Sequence, residues 1–289
     1  MAIEDYNSKQ KPTWCPGCGN YAIWMSIKAA LDELGIPPHK VLIVYGIGCS
    51  GNMFNNINVY GWHALHGRAL PVAIGAKLAN KDLTVIAVAG DGDGLGEGMG
   101  HFIHALRGNV DITYLIHENK VFGLTAGQSA PTSMKGFVSK STPEGVIEDP
   151  TNAVSLALTA GGEFVARGYA GKPEQLKNLI KQGIQHKGFS FVDILQPCIA
   201  FNKVNTYQYY NDRVYDLQAE NHQAEDFDKA FIKAEEWGAK IPTGLFYQAE
   251  GGTREDNLIK ESDEKDNLTF EHKVEKRNLE RIIKNYSTN

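Results

Sequence analysis

The sequence predicts an α/β fold, a doubly wound and mainly parallel sheet with helices on both faces. Three observations predict it. Short apolar runs rich in Val and Ile alternate with segments whose apolar residues recur at helical spacing. The runs are continuous and not alternating, as in strands covered on both faces. The chemically unusual residues, GIGCSG, GDGDG, HENK and QPC, each follow directly after such a run. In a parallel sheet those positions share one edge, the carboxyl edge where α/β proteins bind ligands.

The elements follow in order. Residues 21–34 carry Ile23, Ile27, Ala30, Leu31 and Leu34 at helical spacing, and Gly35 with Pro37 and Pro38 ends that helix. Residues 41–45 form a buried strand running into Gly46-Ile47-Gly48-Cys49-Ser50-Gly51. This GxGxxG follows a strand, but a dinucleotide site also needs a helix start and a ribose-binding acid about twenty residues on. Residues 52–60 are Asn-rich and poorly helical, and no Asp or Glu occurs between Glu33 and Asp82. A nicotinamide site is therefore disfavoured. Residues 68–79 form a helix of small residues, and its start, with His66, Gly67 and Arg68, can face an anion. Residues 85–89 form the central strand, ending in Gly90-Asp91-Gly92-Asp93-Gly94. Aspartates among glycines at a strand end offer hard oxygen ligands to Mg²⁺, with phosphate filling its other positions.

A helix over 98–107 leads to a strand over 111–116 and to His117-Glu118-Asn119-Lys120. A glycine-rich loop, VFGLTAGQ, comes next, and residues 129–150 form a loop or lid with Pro131, Pro143 and Pro150. Residues 151–160 form a helix, 163–169 a strand, 173–185 a helix with Pro at its first turn, and 189–195 a strand delivering Gln196-Pro197-Cys198. The chain therefore divides into an α/β domain over 1–205 and an irregular, charged C-terminal extension over 206–289. The extension has one apolar patch at 241–247 and a highly charged stretch at 260–289 that can form a terminal helix or contact a partner.

The chain has 289 residues and a net charge of −5. No basic stretch points to nucleic acid. The apolar runs are interrupted by Gly, Asp or Lys, so no membrane span is expected. The N-terminus is polar and unlike a signal peptide, which makes a cytoplasmic location the expectation. In a reducing compartment the four cysteines, Cys15, Cys18, Cys49 and Cys198, are metal ligands or catalytic thiols sooner than disulfides. Trp14-Cys15-Pro16-Gly17-Cys18 also resembles a thioredoxin motif, but it follows polar residues and no buried strand.

GDG followed by an Asn after the next strand resembles the thiamine diphosphate signature. Together with WCPGCG, GIGCSG, HGRALPVAIGAKLAN and VFGLTAGQ, it resembles the β subunits of 2-oxoacid:ferredoxin oxidoreductases over residues 14–198. The resemblance implies the diphosphate-binding fold of thiamine enzymes. It implies that Mg²⁺ is held by Asp91, the Asn119 side chain and the Val121 carbonyl. Gly90, Gly92, Asp93, Gly123, Leu124, Thr125 and His66 would line the cofactor, with Gly48 and Cys49 near its aminopyrimidine. Cys15, Cys18, Cys49 and Cys198 would hold one [4Fe–4S] cluster, which needs four thiolates.

The implied reaction is oxidative decarboxylation of a 2-oxoacid to carbon dioxide and an acyl-coenzyme A, with electrons passing through the cluster to ferredoxin. Leu124 stands where pyruvate-specific relatives carry Asn, so 2-oxoglutarate or a broad range of acids is expected. Glu118 departs from the Asn-Asn of many relatives, and Ala126 from a common glycine. The acid that activates the pyrimidine is expected on a partner α subunit. Two alternatives stand beside this reading. One is a zinc-binding structural or assembly subunit, since four cysteines also suit zinc. The other is a cluster-free thiamine diphosphate decarboxylase, which leaves the cysteines unexplained.

Overall fold

The structure, a computed structural model, describes residues 2–254 and 256. Its strands are β1 (Val41–Tyr45), β2 (Tyr60–His63), β3 (Thr84–Gly90), β4 (Thr113–Glu118), β5 (Val121–Phe122), β6 (Gln128–Ser129), β7 (Phe164–Tyr169), β8 (Ser190–Leu195), β9 (Val214–Asp216) and β10 (Ile241–Gln248). Its helices are α1 (Asn20–Glu33), α2 (Ala69–Ala79), α3 (Met99–Gly108), α4 (Ala153–Thr159), α5 (Pro173–Gln185), α6 (Tyr207–Asn211) and α7 (Phe227–Ala234). Eight strands form one sheet in the order β2-β1-β3-β4-β8-β7-β10-β9, and β5 and β6 form a separate hairpin. Strands β2 to β7 of that order are parallel to one another.

Register explains why the strand runs are continuously apolar. One row across the sheet pairs Tyr45, Val88, Leu115, Val192 and Ala166, and all five face the core under α1 and α5. The adjacent row, Val44, Ala87, Tyr114, Phe191 and Val165, faces the opposite core, under α2, α3, α4 and α7. Successive side chains alternate between two buried faces, so neither face can be polar.

Two differences from the sequence expectation matter for the site. The strand expected over 111–116 is Thr113–Glu118, so His117 and Glu118 are strand residues and not loop residues. Both are polar and buried, and each has a partner: His117 Nδ1 lies 2.7 Å from Asn20 Oδ1, and Lys120 Nζ donates to Glu118 Oε1 at 2.5 Å. The glycine-rich stretch Gly92–Glu97 is a π-helical turn capped by Asp91, whose side chain accepts from Gly92 N.

The C-terminal segment is more ordered than its composition suggests. The patch at 241–247 is part of β10, which pairs antiparallel with β7, and β9 pairs with β10. Leu217, Ala230, Ala234 and Phe246 are buried in the core under α3 and α4. The charged stretch 260–289 lies outside the described residues. Among the described residues no helix is long and apolar enough to cross a membrane.

Candidate active site

β2 lies on one side of β1 and β3 on the other, so the chain switches direction between β1 and β3. The carboxyl ends of strands flanking such a switch splay apart and leave a crevice. The loops after β1, β3, β4 and β8 all meet there.

Asp91 starts the loop after β3 and is 1% exposed. Its Oδ1 accepts from Gly92 N at 2.9 Å, and its Oδ2 accepts from Lys120 N at 2.6 Å and from Thr132 Oγ1 at 2.5 Å. Burial pushes its carboxyl up to about 7, and the nearby Glu118 charge pushes the same way against the three donors. Asn119 lies at the end of β4, where its Oδ1 accepts from Val121 N at 3.0 Å. An amide oxygen has a second lone pair free for a cation.

Asp93 points away from Asp91, into the β1–β3 crevice. Its Oδ1 accepts from Gly67 N at 2.6 Å, and its Oδ2 accepts from Ile47 N at 3.2 Å. His66 Nδ1 is 3.4 Å from Asp93 Oδ1. Asp93 thus ties together the loop after β1, the loop before α2 and the central loop. Arg68 Nη1 donates to the carbonyls of Gly67 and Glu97. Gly92 must lack a side chain, since a Cβ there would come within 2.5 Å of the Phe122 ring.

A cavity of about 80 Å³ is lined by Gly48, Cys49, His66, Gly90, Asp91, Gly92, Asp93, Asn119, Val121, Gly123, Leu124 and Thr125, with Ile47, Ser50 and Phe122. Every residue expected to contact thiamine diphosphate or Mg²⁺ therefore lies on one cavity wall. A neighbouring cavity of about 210 Å³ is lined by Cys15, Cys18, Cys49 and Cys198. Cys49, Asn119, Gly123 and Leu124 line both. A Cβ on Gly123 would sit 3.3 Å from Cys49 Sγ and 3.9 Å from Cys198 Sγ. The larger groove beside α5 and β10, about 610 Å³, contains none of these residues.

The cysteines arrive from three places. Cys15 and Cys18 come from the loop before α1, Cys49 from the end of β1, and Cys198 from the end of β8. Trp14 Nε1 donates to Cys49 O at 2.7 Å and joins the first loop to the second. All four are free thiols. Burial pushes the Cys18 thiol up to about 12 and the Cys49 thiol up to about 11. Loading a metal here therefore displaces protons. Among the described residues no group of three or more His, Cys, Asp or Glu side chains is placed to hold a metal ion. The expected Mg²⁺ site is not of that kind, since it relies on one carboxylate, an amide and a backbone carbonyl. The thiols are arranged around a cavity, which suits a multinuclear group with one thiolate per iron.

Two site residues, Thr132 and Asn202, lie outside every motif, and two others, Lys120 and Gln196, lie inside HENK and QPC without a role assigned from sequence. Thr132 lies in the expected lid but is fully buried; its hydroxyl donates to Asp91 and its carbonyl accepts from Lys120 Nζ at 3.1 Å. Lys120 is buried in a left-handed backbone conformation, φ +63°. Asn202 Nδ2 donates to Asn119 O at 3.0 Å and its N–H to Cys198 O at 3.1 Å, joining both cavities' loops. Gln196 lies against Cys18.

Residues 46–194 match the family described as thiamine pyrophosphate enzyme, C-terminal TPP binding domain, and residues 198–263 match the family of C-terminal regions of the pyruvate ferredoxin oxidoreductase beta chain. The chain is 47% identical over 249 residues to the 2-oxoacid:ferredoxin oxidoreductase subunit beta of Saccharolobus solfataricus, covering 82% of each. It is 45% identical over 199 residues to the 2-oxoglutarate oxidoreductase subunit KorB of Mycobacterium tuberculosis, covering 69% of this chain and 53% of that one. Among solved structures it resembles the 2-oxoglutarate:ferredoxin oxidoreductase from Magnetococcus marinus, solved with 2-oxoglutarate, coenzyme A and succinyl-CoA bound. The TM-score there is 0.88 at 42% identity, covering 90% of this chain and 89% of that one. With these similarities spanning most of the chain and a thiamine-type crevice at the sheet edge, the chain belongs to the β subunits of 2-oxoacid:ferredoxin oxidoreductases, the thiamine diphosphate-dependent enzymes of that name.

Proposed function

We propose that the chain, paired with an α subunit, catalyses coenzyme A-dependent oxidative decarboxylation of a 2-oxoacid, with 2-oxoglutarate favoured, and passes the electrons through a [4Fe–4S] cluster to ferredoxin. The observation that carries this reading is the shared wall. Cys49, Asn119, Gly123 and Leu124 line both the diphosphate cavity and the four-cysteine cavity, so oxidisable carbon and electron acceptor would be neighbours.

The residues divide the work. Asp91, Asn119 and the Val121 carbonyl would hold Mg²⁺, and a cation there would favour the ionised form of a carboxyl that burial disfavours. Asp93 holds the three loops that shape the diphosphate pocket. The thiolates of Cys15, Cys18, Cys49 and Cys198 hold the cluster. Bound thiamine diphosphate supplies the electron sink that lets carbon dioxide leave the 2-oxoacid. Neither nearby glutamate suits the pyrimidine-activating role: Glu118 is ion-paired with Lys120, and Glu97 is exposed with its carbonyl on Arg68. The activating acid is accordingly assigned to the α subunit.

2-Oxoglutarate is favoured because relatives at 45% and 42% identity carry it in their names, and because exposed Leu124 sits at the junction of the two cavities. The test is coenzyme A-dependent reduction of ferredoxin by the anaerobically purified α–β complex. Turnover with 2-oxoglutarate exceeding that with pyruvate is expected. Absence of 2-oxoacid-dependent reduction overturns the proposal.

A further inference from the structure

Gln196 follows β8 directly and is 1% exposed. Its Nε2 lies 3.3 Å from Cys18 Sγ and 3.1 Å from Pro197 O. A carbonyl oxygen can only accept, which places the amide nitrogen, and not the oxygen, on the side facing both. The amide oxygen, Oε1, is buried with no partner. The amide is thus held through its nitrogen alone, by Pro197 O and Cys18 Sγ.

The approach is built by both sequence motifs. A Cβ on Gly19 would come within 2.8 Å of Gln196 Cγ and 3.2 Å of the Pro197 ring, so the glycine after Cys18 is what lets the QPC loop close onto the CPGC loop. Gly19 N also donates to Pro197 O at 3.3 Å. Trp14, another N–H donor lining this cavity, is directed elsewhere, to the carbonyl of Cys49.

We infer that Gln196 sets the reduction potential of the iron–sulfur cluster, by donating its side-chain N–H to the sulfur of Cys18. The inference rests on the cluster assignment above and goes beyond it. Reduction adds one electron to the cluster and raises the negative charge on its sulfurs. A fixed donor aimed at one of those sulfurs stabilises the more charged state, and more strongly when buried than in water. Hydrogen bonds to cluster sulfurs are among the levers that set such potentials. Gln196 thus raises the potential, making the cluster a better acceptor from the neighbouring cavity.

The experiment is a redox titration of the cluster in the anaerobically purified α–β complex, monitored by electron paramagnetic resonance. Gln196→Met keeps the length of the side chain and removes the donor. Gln196→Glu keeps the shape and replaces the donor with a group that is negative when ionised. Midpoints more negative than wild type are expected, with Glu the lowest. Iron content at about four per chain accompanies each titration as the check that a cluster is present. Unchanged midpoints in both cluster-bearing variants overturn the inference, while wild-type protein without iron overturns the cluster reading beneath it. Should the variants fail to assemble, wild-type complex with ¹⁵N in glutamine side chains decides. Hyperfine coupling from an amide nitrogen to the reduced cluster is expected, and its absence overturns the inference.

Discussion

The carboxylate of Asp93 occupies the space where a side chain on Gly46 would have to be. A Cβ built on Gly46 falls 1.7 Å from Asp93 Oδ2. The end of β1 and the central loop are thus interlocked, and glycine at 46 leaves room for the Asp93 carboxylate. Gly46→Ala is expected to expel the Asp93 side chain and to cost about 1–3 kcal/mol or more, as overpacking does. Asp93→Asn retains the volume but turns one acceptor into a donor facing a backbone N–H, at a cost of about 1–3 kcal/mol. Denaturant titration of both variants checks this, and wild-type midpoints would show that the interlock is not needed.

Asp91→Asn is expected to weaken Mg²⁺ and thiamine diphosphate binding together, because on the proposed reading the Asp91 carboxylate would hold the cation that the diphosphate needs. Asp93→Asn is expected to weaken them less, because both Asp93 oxygens are turned toward Ile47 and Gly67. Calorimetric titration of the α–β complex with cofactor, with and without Mg²⁺, measures the difference. Equal losses in the two variants would contradict the assignment of roles.

Beneath the β4 end, Arg167 Nε donates to Asp193 Oδ2 at 2.9 Å, with both residues buried. Asp193→Ala leaves a buried guanidinium without its counter-charge and is expected to cost about 3–5 kcal/mol. Replacing both, Arg167→Met with Asp193→Leu, is expected to cost less than the single change. Thermal denaturation of the three proteins settles the order, and a double variant worse than Asp193→Ala refutes the ion-pair account.

Leu124→Asn is expected to raise kcat/KM for pyruvate relative to 2-oxoglutarate, since Leu124 is half-exposed at the junction of the two cavities. Steady-state assays with both acids check this. An unchanged ratio would place specificity elsewhere.

The isolated chain, supplied with cluster, cofactor, Mg²⁺, coenzyme A, 2-oxoacid and acceptor, is expected to turn over negligibly until the α subunit is added. Glu118, the local acid at the end of β4, is already engaged in an ion pair with Lys120. Full activity from the chain alone would show that its site is complete.

The fold class and the edge at which the site lies are legible in the amino-acid sequence. Continuous apolar runs such as 85–89 require cover on both faces, and a parallel sheet then sends GIGCSG, GDGDG, HENK and QPC to one side whatever the details of packing. How those loops touch follows from packing alone. Asp91 and Asp93 stand two residues apart in the same glycine-rich loop, yet one faces Lys120 and Thr132 and the other Ile47 and Gly67. The patch at 241–247 has too few neighbours in sequence to reveal that it completes the sheet beside β7. Thr132 is an ordinary polar residue in sequence and meets Asp91 41 positions away, while Gln196 of QPC meets Cys18 178 positions away. The physical reason is common to all of these. Hydrophobic periodicity is a local property of the chain, whereas burial of a polar group is stable only with a partner, and long-range packing supplies that partner.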